Sequence, residues 1–277
     1  MLDDTGDMFK FSVLMSLYIK ERPEYLDACF DSLYKQSHQA DEIVLVLDGP
    51  VTSELHKVID SWEPILPLCI YQLEENVGLG CALNFGLSKC TYDFVARMDT
   101  DDICMPERFH IQIEAFLRDP DLTICGASIK EVDAVSLEFI SNRNVPQFDY
   151  DIKRYLPKRS PFNHMTVMYK KHEVINCGSY KHLPLMEDWY LWCRLLSPKA
   201  KGYNVQQQLV VARTGLSMIE RRSGFNYVKS EWLMHKYRME LKISSLTSSF
   251  FIFFLRSIVR LLPSKIVKSV YWIIRKV

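Results

Sequence analysis

Three carboxylates stand within four residues at Asp99-Thr100-Asp101-Asp102. Charges that close repel one another unless solvent or a cation relieves them. The apolar run Asp93-Phe-Val-Ala-Arg-Met98 leads straight into them, so a turn at a strand end can aim Asp99 and Asp101 at a single divalent ion. All-oxygen ligation suits Mg2+ or Mn2+, which bridges to substrate phosphates more readily than it sits in a closed protein cage. The competing role is an acidic surface turn in which Asp101 or Asp102 caps the helix opening at Pro106.

A second acidic pair lies in Leu185-Met-Glu187-Asp188-Trp189-Tyr-Leu-Trp192, where two acids open an aromatic helix. Acids in a first helical turn are routine partners of the helix dipole. In the chemical reading Asp188 is a general base for a hydroxyl, and Trp189 or Trp192 offers a flat face to a sugar ring. A helix N-terminus favours the carboxylate ion, so such a base is weak unless the site is dry or the substrate assists. His164, in Pro161-Phe-Asn-His164-Met, reads either as a further site group or as a hydrogen-bonded structural histidine.

Two glycines in Asn76-Val-Gly78-Leu-Gly80 open a helix, where backbone can approach a nucleotide closely. The third glycine of a dinucleotide loop is missing, so a plain strand-to-helix turn fits equally well. Asp48-Gly-Pro is turn chemistry by default.

These groups need elements to position them. Phe11 to Tyr18 reads as a strand, and Pro23 opens a helix to about Gln36. Glu42-Ile-Val-Leu-Val-Leu47 reads as a strand buried on both faces of a parallel sheet. A helix over about 53–62, a strand over 67–73, a helix over 79–90 and the strand at 93–98 follow. That alternation predicts an α/β fold with a doubly wound, mostly parallel sheet flanked by helices. Beyond it, a helix from Pro106 to about Asp119, a strand at 122–125, strands near 165–170 and 207–213, and helices near 188–196 and 224–243 are expected. In such sheets ligands sit beyond the carboxyl ends of the strands. Ser16 and Tyr18, Asp48, the Asn76 loop and the Asp99 turn follow the first four strands in order, so all converge on one rim.

With 277 residues, 48% of them hydrophobic, the chain has ample material for a core, which excludes disordered and disulfide-scaffold classes. Eight cysteines at irregular spacing, without a CxxC pair, read as reduced small hydrophobes. The acidic start, Met1-Leu-Asp-Asp-Thr-Gly-Asp7, lacks a secretion signal's apolar core. The formal net charge of zero is a cancellation. From Leu241 onward there are seven bases and no acid, while the first 240 residues hold 27 bases against 34 acids. No basic face for nucleic acid is implied by the body. The run from Phe250 to Leu262 is too short and too broken by Arg256 and Arg260 for a spanning helix, and suits one lying in an anionic headgroup layer. The other possibility is a helical hairpin docked on the body.

Taken together, Phe11 to Tyr18, Glu42 to Gly49, Asn76 to Gly86, Ala96 to Arg108, His164 to Met168 and Glu187 to Trp189 make the chain similar to the nucleotide-sugar-dependent glycosyltransferases of family 2, which have the GT-A-type fold. It resembles most the bacterial branch that builds O-antigen, capsule and exopolysaccharide. The resemblance implies a metal-dependent, inverting hexosyl transfer, with Mn2+ or Mg2+, from a nucleotide sugar such as UDP-Glc, UDP-Gal or an N-acetyl analogue. The implied acceptor is a polyprenyl-diphosphate-linked saccharide. Ser16, Tyr18 and Asp48 would hold the base, Asn76 and Gly78 would lie beside the nucleotide, Asp99 would touch ribose or metal, and Asp101 would bind the metal. Asp188 would be the base, His164, Glu187 and Trp189 would line the acceptor site, and Arg221 and Arg222 would clamp the diphosphate. Leu83 departs from the pattern, since many relatives carry arginine there. The implied organisation is a catalytic domain over 1–243, its nucleotide half about 10–130 and its acceptor half about 131–225, with a membrane-associating extension over 244–277. The implied location is the inner face of the cell membrane. A haloacid-dehalogenase-like phosphatase, a nucleotidyltransferase and a non-catalytic glycan- or nucleotide-binding protein are the alternatives. The phosphatase needs its aspartates on the first strand, and the nucleotidyltransferase needs a glycine- and arginine-containing loop after Tyr18.

Overall fold

The computed structural model describes residues 9–196, 198–215 and 224–261. Its first half follows from the buried β-branched runs. Strands β1 (Phe11–Leu17), β2 (Glu42–Leu47), β3 (Leu68–Gln72) and β4 (Phe94–Arg97) pair in parallel in the order β3-β2-β1-β4. Helices α1 (Pro23–Tyr34), α2 (Ser53–Trp62) and α3 (Leu79–Lys89) connect them. Alternate residues of the strands serve opposite faces. Val13, Met15, Ile43 and Leu45 pack with Leu26, Phe30, Leu55 and Ile59 of α1 and α2, while Leu14, Val44 and Val46 pack with Ala82, Leu83 and Leu87 of α3. Both faces being covered, every residue of β2 is buried.

The second half is mixed. The two-residue β5 (Ile103–Cys104) leads into α4 (Arg108–Arg118), followed by β6 (Leu122–Asp133) and β7 (Phe139–Arg143). Then come α5 (Asp149–Tyr155), a 3-10 turn at His164–Thr166, β8 (Met168–Lys170), α6 (Lys171–Asn176), α7 (Glu187–Leu195) and β9 (Lys201–Thr214). The sheet continues past β4 as β8-β6-β9-β5, with β7 paired to β6. β8 runs antiparallel to both β4 and β6, β6 runs parallel to β9, and β5 and β7 are antiparallel to their neighbours. The parallel arrangement expected from the sequence therefore holds through β4, and reversal at β8 makes the whole sheet mixed. β6 is far longer than its apolar start at 122–125 suggests. Polar Ser128 and Glu131 along it are buried because β9 pairs with it from end to end.

Two helices close the described chain, α8 (Phe225–Glu240) and α9 (Leu246–Leu261), packed on each other as a hairpin. Glu231 of α8, fully buried, receives Arg256 Nε at 2.7 and 2.8 Å on its two oxygens, and Arg260 Nε lies 4.0 Å away. These two arginines of the basic tail thus turn inward, onto Glu231. What α9 turns outward is apolar: Phe250, Phe251, Phe254, Leu255 and Ile258 are exposed. No helix among the described residues is long and apolar enough to cross a membrane.

Candidate active site

The parallel register sets the rim. Leu17 pairs with Leu47, Leu47 with Gln72 and Leu14 with Arg97, so the carboxyl ends of the first four strands share one edge. At the end of β1, Ser16 is half-buried, and Tyr18 just beyond it is exposed. Asp48, immediately beyond β2, is buried, and its carboxylate organises the glycine loop. One oxygen accepts the Val77 N–H at 2.7 Å; the other accepts the Gly78 N–H at 3.1 Å and Asn76 Nδ2 at 3.0 Å. Gly78 sits at φ 86°, at the N-cap of α3, a left-handed conformation that glycine adopts without strain. Gly49, at φ 84°, has its backbone so close to this loop that a Cβ would stand 2.7 Å from Asn76 N. The sequence suggested two separate features, the Asp48 turn and the Asn76–Gly78 loop; the fold makes them one hydrogen-bonded unit.

The acidic turn lies between β4 and β5. One carboxylate oxygen from each of Asp99, Asp101 and Asp102 lies within 4.8 Å of the others. Asp102, which the sequence reading left out of the metal set, is the most buried and accepts the Arg213 N–H of β9 at 2.8 Å. The capping role considered for Asp101 and Asp102 does not occur, since the N-cap of α4 is Glu107 and no side chain caps it. Asp99 pairs with the buried guanidinium of Arg97. Arg108, also buried, fixes the strand end beneath, donating to the Arg97 carbonyl at 2.7 Å. Glu21 adds a fourth acid, accepting Thr100 Oγ1 at 2.9 Å.

Burial, then the Asp99 charge, push the Asp101 carboxyl up to about 7. Burial, then Asp101, hold Asp102 well above the usual carboxylate range, and burial raises Glu21 as well. Such a cluster of oxygens lacks enough positive charge of its own, and its donors are those of Mg2+ or Mn2+. The residues fit a divalent cation.

Glu187 and Asp188 open α7 opposite the glycine loop. A Cβ on Gly80 would stand 3.5 Å from Glu187 Cγ, so the start of α3 meets the start of α7. Both acids are half-buried, and burial raises the Glu187 carboxyl. Asp188 Oδ2 accepts Ser160 Oγ at 3.2 Å. Between the two acidic centres stands Tyr180, held by reciprocal 2.8 Å hydrogen bonds between its backbone and the Asn84 side chain. Its hydroxyl is 2.8 Å from His164 Nε2. Charges on Arg97, Asp188 and Asp99 all act on it, although burial dominates in raising the phenol. Enclosure of the imidazole, with Arg97 beside it, holds His164 well below the usual histidine range and so neutral.

One expectation needs correction. Trp189 is 3% exposed, with its indole N–H donated to the Leu156 carbonyl at 2.8 Å, and Trp192 is fully buried. An enclosed ring cannot offer its face to a sugar: Trp192 packs edge-on to Phe162, and Trp189 lies under the guanidiniums of Arg238 and Arg256. Leu83 is fully buried against β1 and β2, so its position on α3 faces the core rather than a diphosphate. Arg221 and Arg222 lie outside the described residues. Sequence reasoning missed Arg97, Tyr180 and Ser160. Arg97 alone carried a signal, standing two residues before Asp99 in an otherwise apolar strand.

The model of the family described as "Glycosyl transferase family 2" matches residues 12–182. The amylovoran biosynthesis glycosyltransferase AmsE of Erwinia amylovora is 43% identical over 94% of this chain and 97% of its own length. The UDP-Gal:alpha-D-GlcNAc-diphosphoundecaprenol beta-1,3-galactosyltransferase of Escherichia coli is 37% identical over 98% of this chain and 97% of its own. Among solved structures, S. aureus TarS 1-349 in complex with UDP-GlcNAc superposes with a TM-score of 0.66 at 20% identity, covering 88% of this chain and 70% of that one, and so shares the fold. With a rim that gathers a glycine loop, an acidic turn and the Glu187-Asp188 helix, and with relatives of this kind along nearly its whole length, the chain belongs to glycosyl transferase family 2 and is a glycosyltransferase.

Proposed function

We propose that the enzyme transfers a hexose from a uridine diphosphate sugar to a saccharide carried on a lipid diphosphate, with inversion, during assembly of a bacterial surface polysaccharide. The observation that carries this reading is the approach of two acidic centres to one tyrosine: charges of Asp99, in the Asp99-Asp101-Asp102 cluster, and of Asp188, beside Glu187 at the start of α7, both act on buried Tyr180. The activity in the name of the E. coli relative, UDP-Gal onto a lipid-diphosphate GlcNAc, supports the donor and acceptor classes.

In this mechanism Tyr18 stacks on the base, and the Asn76–Gly78 loop, tied down by Asp48, lies along the nucleotide. Ser16 and Asp48 face the base edge. Asp99 and Asp101, backed by Asp102, would hold Mn2+ or Mg2+. When bound, that cation supplies Lewis-acid stabilisation of the departing diphosphate. Arg97 keeps Asp99 oriented. Asp188 takes the proton of the acceptor hydroxyl on a carboxylate oxygen while that hydroxyl attacks the anomeric carbon from the face opposite the nucleotide. Glu187 and neutral His164 line the acceptor side. One displacement converts an α-linked donor into a β-glycoside, matching the beta linkage in the relative's name.

The outward face of α9 continues in sequence into Lys265, Lys268, Arg275 and Lys276, with no acid among residues 241–277. We assign this apolar face and its basic continuation to the surface of an anionic membrane, where a lipid-linked acceptor resides. The test of function is a panel of UDP-sugars with a synthetic GlcNAc-diphosphate lipid, with and without Mn2+, read by product mass. Transfer that requires both acceptor and cation is expected. Phosphomonoester hydrolysis without any acceptor would overturn the reading.

A further inference from the structure

Asp188 is held by a device that reaches it from the C-terminal hairpin. The link between α5 and β8 passes Asp188, and three consecutive carbonyls of that link are each held by a different helix. Leu156 O receives Trp189 Nε1 of α7 at 2.8 Å, Pro157 O receives Arg238 Nη1 of α8 at 2.8 Å, and Lys158 O receives Arg256 Nη1 of α9 at 3.4 Å. Two residues further on, Ser160 Oγ lies 3.2 Å from both Asp188 Oδ2 and the Phe162 carbonyl, two acceptors that share its single O–H. The same two guanidiniums lie against Trp189, the residue after Asp188, at 4.9 Å for Arg256 and 5.4 Å for Arg238 from the ring centroid. Glu231 anchors Arg256 through both of its oxygens.

From this we infer that Arg256, seated on Glu231, is a positioning residue for Asp188, acting through Trp189 and the 156–160 link. It touches no reacting atom. Its guanidinium spans three partners at once: the Glu231 carboxylate, the face of Trp189 and the Lys158 carbonyl. A planar fork can serve all three, whereas an ammonium can pair with Glu231 and reach little else. The consequence is that the hairpin completes the acceptor side of the catalytic domain as well as presenting its outer face. The inference rests on Asp188 being the catalytic base.

The test uses the full-length enzyme, UDP-Gal and the synthetic GlcNAc-diphosphate lipid in detergent, so that membrane attachment plays no part. Arg256→Lys keeps a positive charge against Glu231. It is expected to lower kcat by about 10-fold to 100-fold, the scale of a misplaced catalytic group, with UDP affinity and the donor KM within twofold of wild type. Ser160→Ala, which removes no charge and carries the test if Arg256→Lys does not fold, should show the same kcat-only loss. The losses in the double variant should not multiply, because both act on one carboxylate. Unchanged kcat in Ser160→Ala or in folded Arg256→Lys, or fully multiplicative losses, would overturn the inference. Asp188→Asn separates the two readings: near-normal turnover there refutes the base itself, whereas an inactive Asp188→Asn beside fully active Ser160→Ala and Arg256→Lys refutes only the positioning.

Discussion

Asp48→Ala removes the anchor of the glycine loop. Three hydrogen bonds of 2.7 to 3.1 Å end on this carboxylate, two of them from the backbone N–H groups of Val77 and Gly78. A hydrogen bond to a charged group contributes about 1.5–3 kcal/mol. Val77 is 43% exposed, so water can replace part of what its N–H loses, and the Asn76 amide is exposed as well. The net destabilisation should therefore be about 2–4 kcal/mol, less than three full bonds would suggest. For a chain of this size that lowers Tm by roughly 5–12 °C in a thermal melt. Asp48→Asn can still accept one N–H but turns an amide NH2 toward the other, so about half of that loss is expected. Calorimetric titration with UDP should show weaker binding in both variants, because the loop is no longer held beside the nucleotide. Wild-type Tm and UDP affinity in Asp48→Asn would refute the reasoning that this carboxylate, rather than the glycines alone, organises the loop.

The acidic turn should respond to pH in a defined direction. Asp101 titrates near 7, above the ordinary 3.8, so the metal-free fold is favoured in acid and loses that contribution as pH rises through about 7. Ionisation of this coupled pair of carboxylates grows as pH rises through that range, so Mn2+ affinity measured by calorimetry should be higher at pH 8 than at pH 6. An affinity flat across that range would contradict the assignment of Asp101. Tyr180→Phe removes the hydroxyl 2.8 Å from His164 and should cost about 1–2 kcal/mol in urea unfolding while leaving UDP affinity intact. Phe250→Ser with Phe254→Ser should abolish flotation with phosphatidylglycerol vesicles without changing transfer to a detergent-solubilised acceptor; unchanged flotation would remove α9 from the membrane surface.

The parallel half of the fold was legible because each of its strands is a short apolar run closed by turn residues, a local pattern that burial on both faces dictates. The mixed half was not. α5 and the two-residue β5 are stabilised by packing or pairing with β9, far along the chain, β7 is held by hairpin pairing with β6, and their own residues, such as the exposed Phe139 and Tyr150, carry no matching periodicity. In the site, the carboxylates announced themselves by clustering, and Asp99, Asp101 and the Glu187-Asp188 helix start were readable on that ground. Asp102 looked like a cap because a capping acid and a buried ligand share the same spacing before a helix. Buried arginines were hardest to find. Arg97, Arg108 and Arg238 are at most 2% exposed, yet in a sequence they look like any solvated base. Only the fold shows which carbonyl or carboxylate receives their hydrogen bonds. Arg256 and Arg260 misled in the same way: their charge suggested an anionic surface outside, and Glu231 receives them inside.

The central claim is a single displacement with Asp188 as its base. The direct measurement is transfer from UDP-Gal to the GlcNAc-diphosphate lipid by wild type and Asp188→Asn, with the product's anomeric configuration read by NMR. A β-linked product from the α-linked donor is predicted. Turnover in Asp188→Asn should fall about 10²- to 10⁴-fold with UDP affinity retained. An α-linked product, or near-normal turnover in Asp188→Asn, would contradict the account.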